Sequence, residues 1–154
     1  MLRAKDVMNP DVRTIDAHAT VRRAAEVMLE HGVNGLPVVS PDDKLVGVVG
    51  IKDVLKMPQR RPGRSYIVFY PGFERKAQLM NQMLVSEVMS SPVVAVSEEA
   101  TLGEVTTIVL DRGIHPVPVV REGEMVGIIG RADLVRAMVT LAGSEVAASP
   151  ESEA

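Results

Sequence analysis

Cysteine and tryptophan are absent from this 154-residue chain, and its aromatic residues amount to two Tyr and two Phe. Without thiols there is no disulfide scaffold, no thiolate nucleophile, no iron–sulfur site and no Cys-based zinc site. A pocket built from this composition has aliphatic walls unless those four rings reach it. No run approaches the ~18 apolar residues of a membrane span. The polar start Met1-Leu2-Arg3-Ala4-Lys5-Asp6 lacks the apolar core of a signal peptide. Together these absences lead to an expected cytoplasmic location. A net charge of −3 exerts no general pull on nucleic acid or anionic membrane, so neither is an expected partner.

What is present is ordinary for a folded protein. Hydrophobic residues make up 46% and charged residues 24%, close to the ~45–50% and ~25% of globular domains. The length suits one domain or two small ones.

The chain repeats itself. At an offset of 81, Val7-Met8 returns as Val88-Met89, Ala19-Thr20 as Ala100-Thr101, Gly32 as Gly113 and Pro37-Val38-Val39 as Pro118-Val119-Val120. After a one-residue deletion, Gly47-Val48-Val49-Gly50-Ile51-Lys52-Asp53 returns as Gly127-Ile128-Ile129-Gly130-Arg131-Ala132-Asp133. Ordered identities of this kind decide the architecture before any local feature. The expected organisation is repeat one at 1–57, a linker at 58–87, repeat two at 88–142 and a small, acidic, disordered tail at 143–154.

Within each repeat, Val12–Ile15 and Val93–Val96 are short β-branched runs that read as strands. Thr20 and Thr101 are N-cap candidates, and Glu104 completes a capping box. The helices that follow place Val21, Ala24, Ala25 and Met28, or Leu102, Val105, Ile108 and Val109, on one stripe, and Gly32 or Gly113 ends them. Strands 36–39 and 117–120 then lead through a turn to strands 45–51 and 125–130. That turn is Ser40–Lys44 in repeat one and Glu122-Gly123 in repeat two, which accounts for the deletion as a change of hairpin length. A last helix begins near Asp53 or Asp133, cut short in repeat one by Pro58 and Pro62.

The order β-α-β-β-α, twice over, with a hydrophobic-Pro-Val-Val centre and the Gly-x-x-Gly-x-x-Asp lead into the last helix, resembles the cystathionine β-synthase (CBS) domain. The tandem resembles a CBS pair, or Bateman module, over nearly all of residues 7–141. The resemblance implies an α/β (α+β) fold of two repeats packed with pseudo-two-fold symmetry, clefts between them, and an adenosyl-ligand sensor. Such a ligand is AMP, ADP, ATP, S-adenosylmethionine or a relative, acting as a regulator and not as a required cofactor.

In that family the position of Asp53 and Asp133 binds ribose. A carboxylate there can accept both diol hydroxyl hydrogens, while helix N–H groups face a phosphate. Capping and the helix dipole favour Asp at the same place with no ligand at all. Family members usually carry Ser or Thr three residues earlier, where this chain has Gly50 and Gly130. The lost hydroxyl removes a hydrogen bond worth ~0.5–1.5 kcal/mol. These glycines admit two readings: close approach of a ligand to the backbone, or sites that have lapsed. Asn34, Gly35, Leu36 and Pro37 in repeat one, and His115, Pro116, Val117 and Pro118 in repeat two, occupy the family's phosphate- and base-proximal loop. Lys52 and Arg131 could add positive charge near phosphates, though solvation explains them as well. His18 and His31 share no helical spacing with a second ligand, so no metal site is expected.

The linker is the most individual region. From 54 to 86 it holds six Lys or Arg against Glu74 alone, and all four aromatics fall between Tyr66 and Phe73. Phe73, Ala77, Met80 and Leu84 recur at helical spacing and predict an amphipathic helix. Whether the segment caps the core or covers a cleft or partner, and so takes part in switching, is open at this level.

No nucleophile–base pair, carboxylate pair or phosphate loop is visible, so an enzyme is not expected. The sequence leads to a stand-alone regulatory module that binds an adenosyl nucleotide and signals to an unidentified protein partner. The alternative is a structural dimerisation module with lapsed sites. Apolar stripes in excess of what one small sheet can cover lead to an expected homodimer.

Overall fold

The computed structural model describes residues 1–57, 72–91 and 93–144. Along the chain the elements are α1 (Ala4–Val7), β1 (Ile15–Asp16), α2 (Val21–His31), β2 (Gly35–Val39), β3 (Leu45–Gly50), α3 (Ile51–Leu55), α4 (Phe73–Leu79), α5 (Val85–Val88), β4 (Val96–Ser97), α6 (Leu102–Arg112), β5 (Val117–Arg121), β6 (Glu124–Ile129) and α7 (Arg131–Ala142). They form two units, Arg13–Val93 and Met1–Val12 with Val94–Ala154. The fold is α/β, as the repeat pattern implies.

The first unit holds the sheet β1-β2-β3. β1 pairs in parallel with β2 through Ile15↔Val38, and β2 pairs antiparallel with β3 from Gly35↔Gly50 to Val39↔Leu45. Helix α2 starts where Thr20 Oγ1 accepts the Arg23 N–H at 3.1 Å and stops at Gly32, whose φ of 61° suits a residue without Cβ. Its buried stripe, Val21, Ala24, Val27 and Met28, packs with Leu36, Val38 and Val49 into one core.

The second unit repeats this construction with β4-β5-β6. Thr101 and Glu104 form the expected capping box, and Gly113 ends α6 at φ 63°. Val105, Val109, Val117, Val119, Ile129 and Leu134 make its core. The β5–β6 hairpin turns on Glu122 and Gly123, both at positive φ, the requirement of a tight two-residue turn.

Each unit takes its lead-in segment from the other repeat of the sequence. In the second unit the Ala4 N–H donates to Ala100 O, Lys5 N–H to Glu98 O, and Asn9 exchanges bonds with Ile128. In the first, Val85 N–H donates to Ala19 O, Ser86 N–H to Ala17 O, and Ser90 exchanges bonds with Val48. The two sets are the same bonds displaced by one repeat. Methionine seals both junctions. A Cβ on Gly47 would come within 2.7 Å of Met89 Sδ and 2.8 Å of the Ser90 carbonyl, and one on Gly127 would collide with Met8. The glycines are therefore where the sheet admits a methionine side chain against its backbone.

Three local expectations need correction. The runs at 12–15 and 93–96 contribute only Ile15 and Val96 to strands, because the chain passes from one unit to the other between Val12 and Arg13 and between Val93 and Val94. Ile51 opens α3 and does not end β3. The predicted amphipathic helix is shorter than its spacing implied: α4 ends at Leu79, with Phe73 79% exposed. Its apolar contact comes instead from Met80 and Met83, which pack against the first core. Pro58, Pro62, the aromatic cluster up to Tyr70 and the acidic tail from residue 145 lie outside the described residues.

Candidate functional site

In the first unit β3 runs out at Gly50, in extended backbone, and α3 begins at the next residue. Asp53 is thus the third residue of the helix, and its carboxylate turns back to accept the Gly50 N–H at 2.8 Å. The neighbouring Ile51 N–H donates to Asn34 O at 3.0 Å, and Gly35 pairs with Gly50 in register. These bonds hold Asn34, Gly35, Gly50 and Asp53 in one cluster. Gly35, Leu36 and Pro37 are buried and Lys52 is exposed. The Leu36 side chain belongs to the core, so only its backbone is available to a ligand.

Asp53 is half-buried. Desolvation pushes its pKa above the usual aspartate value, against the lowering effects of the Gly50 hydrogen bond and the Lys56 charge. One carboxylate oxygen is engaged by Gly50, and among the described residues the other accepts from no protein donor. A partly desolvated carboxylate with an oxygen that no described residue engages is suited to accept hydroxyl hydrogens from a diol.

The second unit repeats the turn with different surroundings. The Gly130 N–H donates to Asp133 Oδ2 at 2.7 Å. Asp133 Oδ1, however, accepts from Arg136 Nη1 at 2.9 Å. Arg136 was not among the sequence candidates, although the Asp-x-x-Arg spacing on a helix is a readable signal. Arg131 is exposed, Val117 and Pro118 are buried, and His115 is half-buried ahead of a cis peptide bond to Pro116.

Neither Gly50 nor Gly130 needs to be glycine for conformational reasons, with φ at −126° and −98°. A Cβ on Gly130 would meet only Asp133 Oδ2, at 3.5 Å, and one on Gly50 would meet Asn34 O at 3.3 Å. An added Cβ fits the first without adjustment and the second with a small shift.

Among the described residues no group of three His, Cys, Asp or Glu converges on a point that could hold a metal ion, and no helix is long and apolar enough to cross a membrane.

The repeated strand–turn–helix with its inward-turned aspartate is matched by the CBS domain family model, at residues 4–59 and again at 85–140. The chain belongs to the CBS domain family. Hypoxic response protein 1 of Mycobacterium tuberculosis is 26% identical over 136 residues, spanning 88% of this chain and 85% of that protein. Two solved CBS pairs share the fold. CBSX2 of Arabidopsis thaliana in complex with AMP has a TM-score of 0.71 at 24% identity, covering 92% of this chain and 99% of that one. The CBS domain pair of protein MJ0100, in complex with 5′-methylthioadenosine and S-adenosyl-L-methionine, has a TM-score of 0.69 at 23% identity, covering 91% and 98%.

Proposed function

We propose that this CBS pair is a stand-alone regulatory module, not a catalyst, that binds an adenosyl ligand and signals to a protein partner in the cytoplasm as a homodimer. Asp53 and Asp133 take the ribose hydroxyls, while the 34–37 and 115–118 loops, with Lys52 and Arg131, line the remainder of the ligand. The observation that carries the reading is Asp53: a carboxylate held in a partly desolvated place against its own ionisation, with one oxygen that accepts from no donor among the described residues. Groups kept at such a disadvantage cluster at binding sites. Adenosyl ligands bound to CBSX2 and to MJ0100 support the ligand class.

Gly50 and Gly130 favour a second reading, in which the sites have lapsed and the module serves assembly alone. Calorimetry of the full chain with AMP, ADP, ATP, S-adenosylmethionine and methylthioadenosine separates the two. The first reading expects a dissociation constant in the range of roughly micromolar to millimolar for at least one of them. It also expects tighter binding in Gly130→Ser, where an added Cβ meets no steric obstacle. Absence of heat with every ligand, in wild type and in Gly50→Ser and Gly130→Ser alike, selects the second.

A further inference from the structure

Methionine is the most oxidisable residue type in this chain, with nine copies and no cysteine. The copies divide by exposure. Met1 and Met138 are 96% and 66% exposed, where an added oxygen meets only water, and Met28 and Met57 are fully buried. Met8 and Met89 fall between: each is partly exposed, yet packed against the core of its own unit. They are also equivalent residues of the two repeats. Met80, Met83 and Met125 are partly buried as well and are the internal comparison.

What sets Met8 and Met89 apart is the backbone each sulfur touches. Met89 Sδ stands 2.7 Å from the point a Gly47 Cβ would take, beside the Ser90 carbonyl oxygen, and the atoms nearest to a Gly127 Cβ all belong to Met8, Sδ among them. Each thioether thus lies against bare sheet backbone, with no space for another atom. A sulfoxide converts this apolar group into a polar one whose oxygen only accepts, so burying it requires a donor. The amides that bridge each junction are already spent. Ser90 and Val48 donate to each other's carbonyls at 2.9 and 3.1 Å, and Asn9 and Ile128 do so at 2.8 and 3.0 Å.

We propose that Met8 and Met89 are paired sites of reversible oxidation by hydrogen peroxide, and that their sulfoxides release the two lead-in segments from the sheets. The sulfur lone pair attacks one peroxide oxygen, so that an S–O bond forms as the O–O bond breaks. The proton on the transferred oxygen passes to the departing one, which leaves as water; sulfur loses two electrons and the peroxide gains them. The new oxygen reaches water when the side chain swings off the strand, and the seal is undone. Gly47 and Gly127 lie on β3 and β6, three residues before Gly50 and Gly130, which open the helices carrying Asp53 and Asp133. Oxidised protein should therefore bind an adenosyl ligand less well. That last consequence rests on the function proposed above, whereas the modification and its structural cost do not.

The test treats the full chain with hydrogen peroxide, maps each sulfoxide by peptide mass spectrometry, and follows melting temperature and AMP calorimetry. Met8→Leu/Met89→Leu, a swap close in volume that removes the sulfur, is treated alongside. Met8 and Met89 should oxidise more slowly than Met1 and Met138 and faster than Met28 and Met57. Their oxidation should lower the wild-type melting temperature by ~4 °C or more, with a much smaller loss in the double variant and recovery of wild type by methionine sulfoxide reductases. A second measurement needs no variant. Partly oxidised wild type is held just below its melting temperature with a protease, and sulfoxide at 8 and 89 should be enriched in the cleaved fraction over sulfoxide at 80, 83 and 125. Protection of Met8 and Met89 equal to that of Met28 and Met57 overturns the sites. An unmoved melting temperature, an equal loss in the double variant or an even distribution in the cleaved fraction overturns the release. AMP binding unchanged by oxidation overturns the coupling to the adenosyl sites alone. Absence of AMP binding before oxidation counts against the proposed function and leaves melting to judge the modification.

Discussion

Asp53 and Asp133 occupy the same step of the same motif and make the same bond to the helix-opening glycine, at 2.8 and 2.7 Å. Their electrostatic settings nevertheless differ. Three residues on, each repeat has a base, Lys56 in one and Arg136 in the other. Arg136 lies inside helix α7, and its guanidinium reaches Asp133 Oδ1 at 2.9 Å. Helix α3 ends at Leu55, leaving Lys56 at its cap, where it acts on Asp53 only through space. The repeated motif sets the backbone geometry of the turn, and the two turns differ in whether the base three residues on touches the carboxylate.

The strongest way to break the comparison is to remove each carboxylate in turn. Asp53→Ala and Asp133→Ala should each weaken adenosyl binding at their own repeat by ~1–3 kcal/mol, the cost of leaving a buried hydroxyl pair without its acceptor. Calorimetry reads this as loss of one class of site, and unchanged binding in both variants rules out the ribose assignment.

A pH series sharpens the contrast. Because the folded-state pKa of Asp53 is raised, the native protein holds that proton more tightly than the unfolded chain. This residue's contribution to stability therefore grows as pH falls through the raised value and is lost as pH rises above it. Asp53→Asn should flatten that dependence and leave neutral-pH stability equal or higher while binding falls. A melting temperature lowered at neutral pH would contradict the desolvated setting.

Smallest is the effect of Arg136→Ala. An exposed i,i+3 pair is worth ~0.3–0.5 kcal/mol, so freeing Asp133 Oδ1 should tighten binding at the second repeat about twofold and leave the first unchanged. A change at the first repeat would show that the two carboxylates are not independent.

Much of this was readable before any coordinates. Thr20, Thr101, Glu104, Gly32 and Gly113 announce helix ends because capping is a local transaction between side chain and neighbouring backbone. The hairpin-length difference follows from Glu122-Gly123 for the same reason. The lead-in exchange was not readable. Helices α1 and α5 are four residues each, too short to show a period, and their partners at Ala100 and Ala19 lie far along the chain. At the candidate site, both aspartates and both glycines could be named from the repeat. The ion pair on one aspartate and the desolvation of the other depend on how the surrounding side chains pack, which the repeated motif does not encode.

The exchange of lead-in segments also orders events during synthesis. All residues of the Arg13–Val93 unit precede residues 94–154, so once Val93 has cleared the ribosome that unit can close while later residues are still being added, at ~5–20 residues per second. The other unit cannot, since residues 1–12 await β6 and the loop before α6. Ala4, Val7 and Met8, destined for the second core, remain without their partners for that whole interval. The 1–12 segment is thus made before the Arg13–Val93 unit yet finds its partners after it, and a pause in translation once that unit has emerged would lengthen the exposure of Ala4, Val7 and Met8 without delaying the unit.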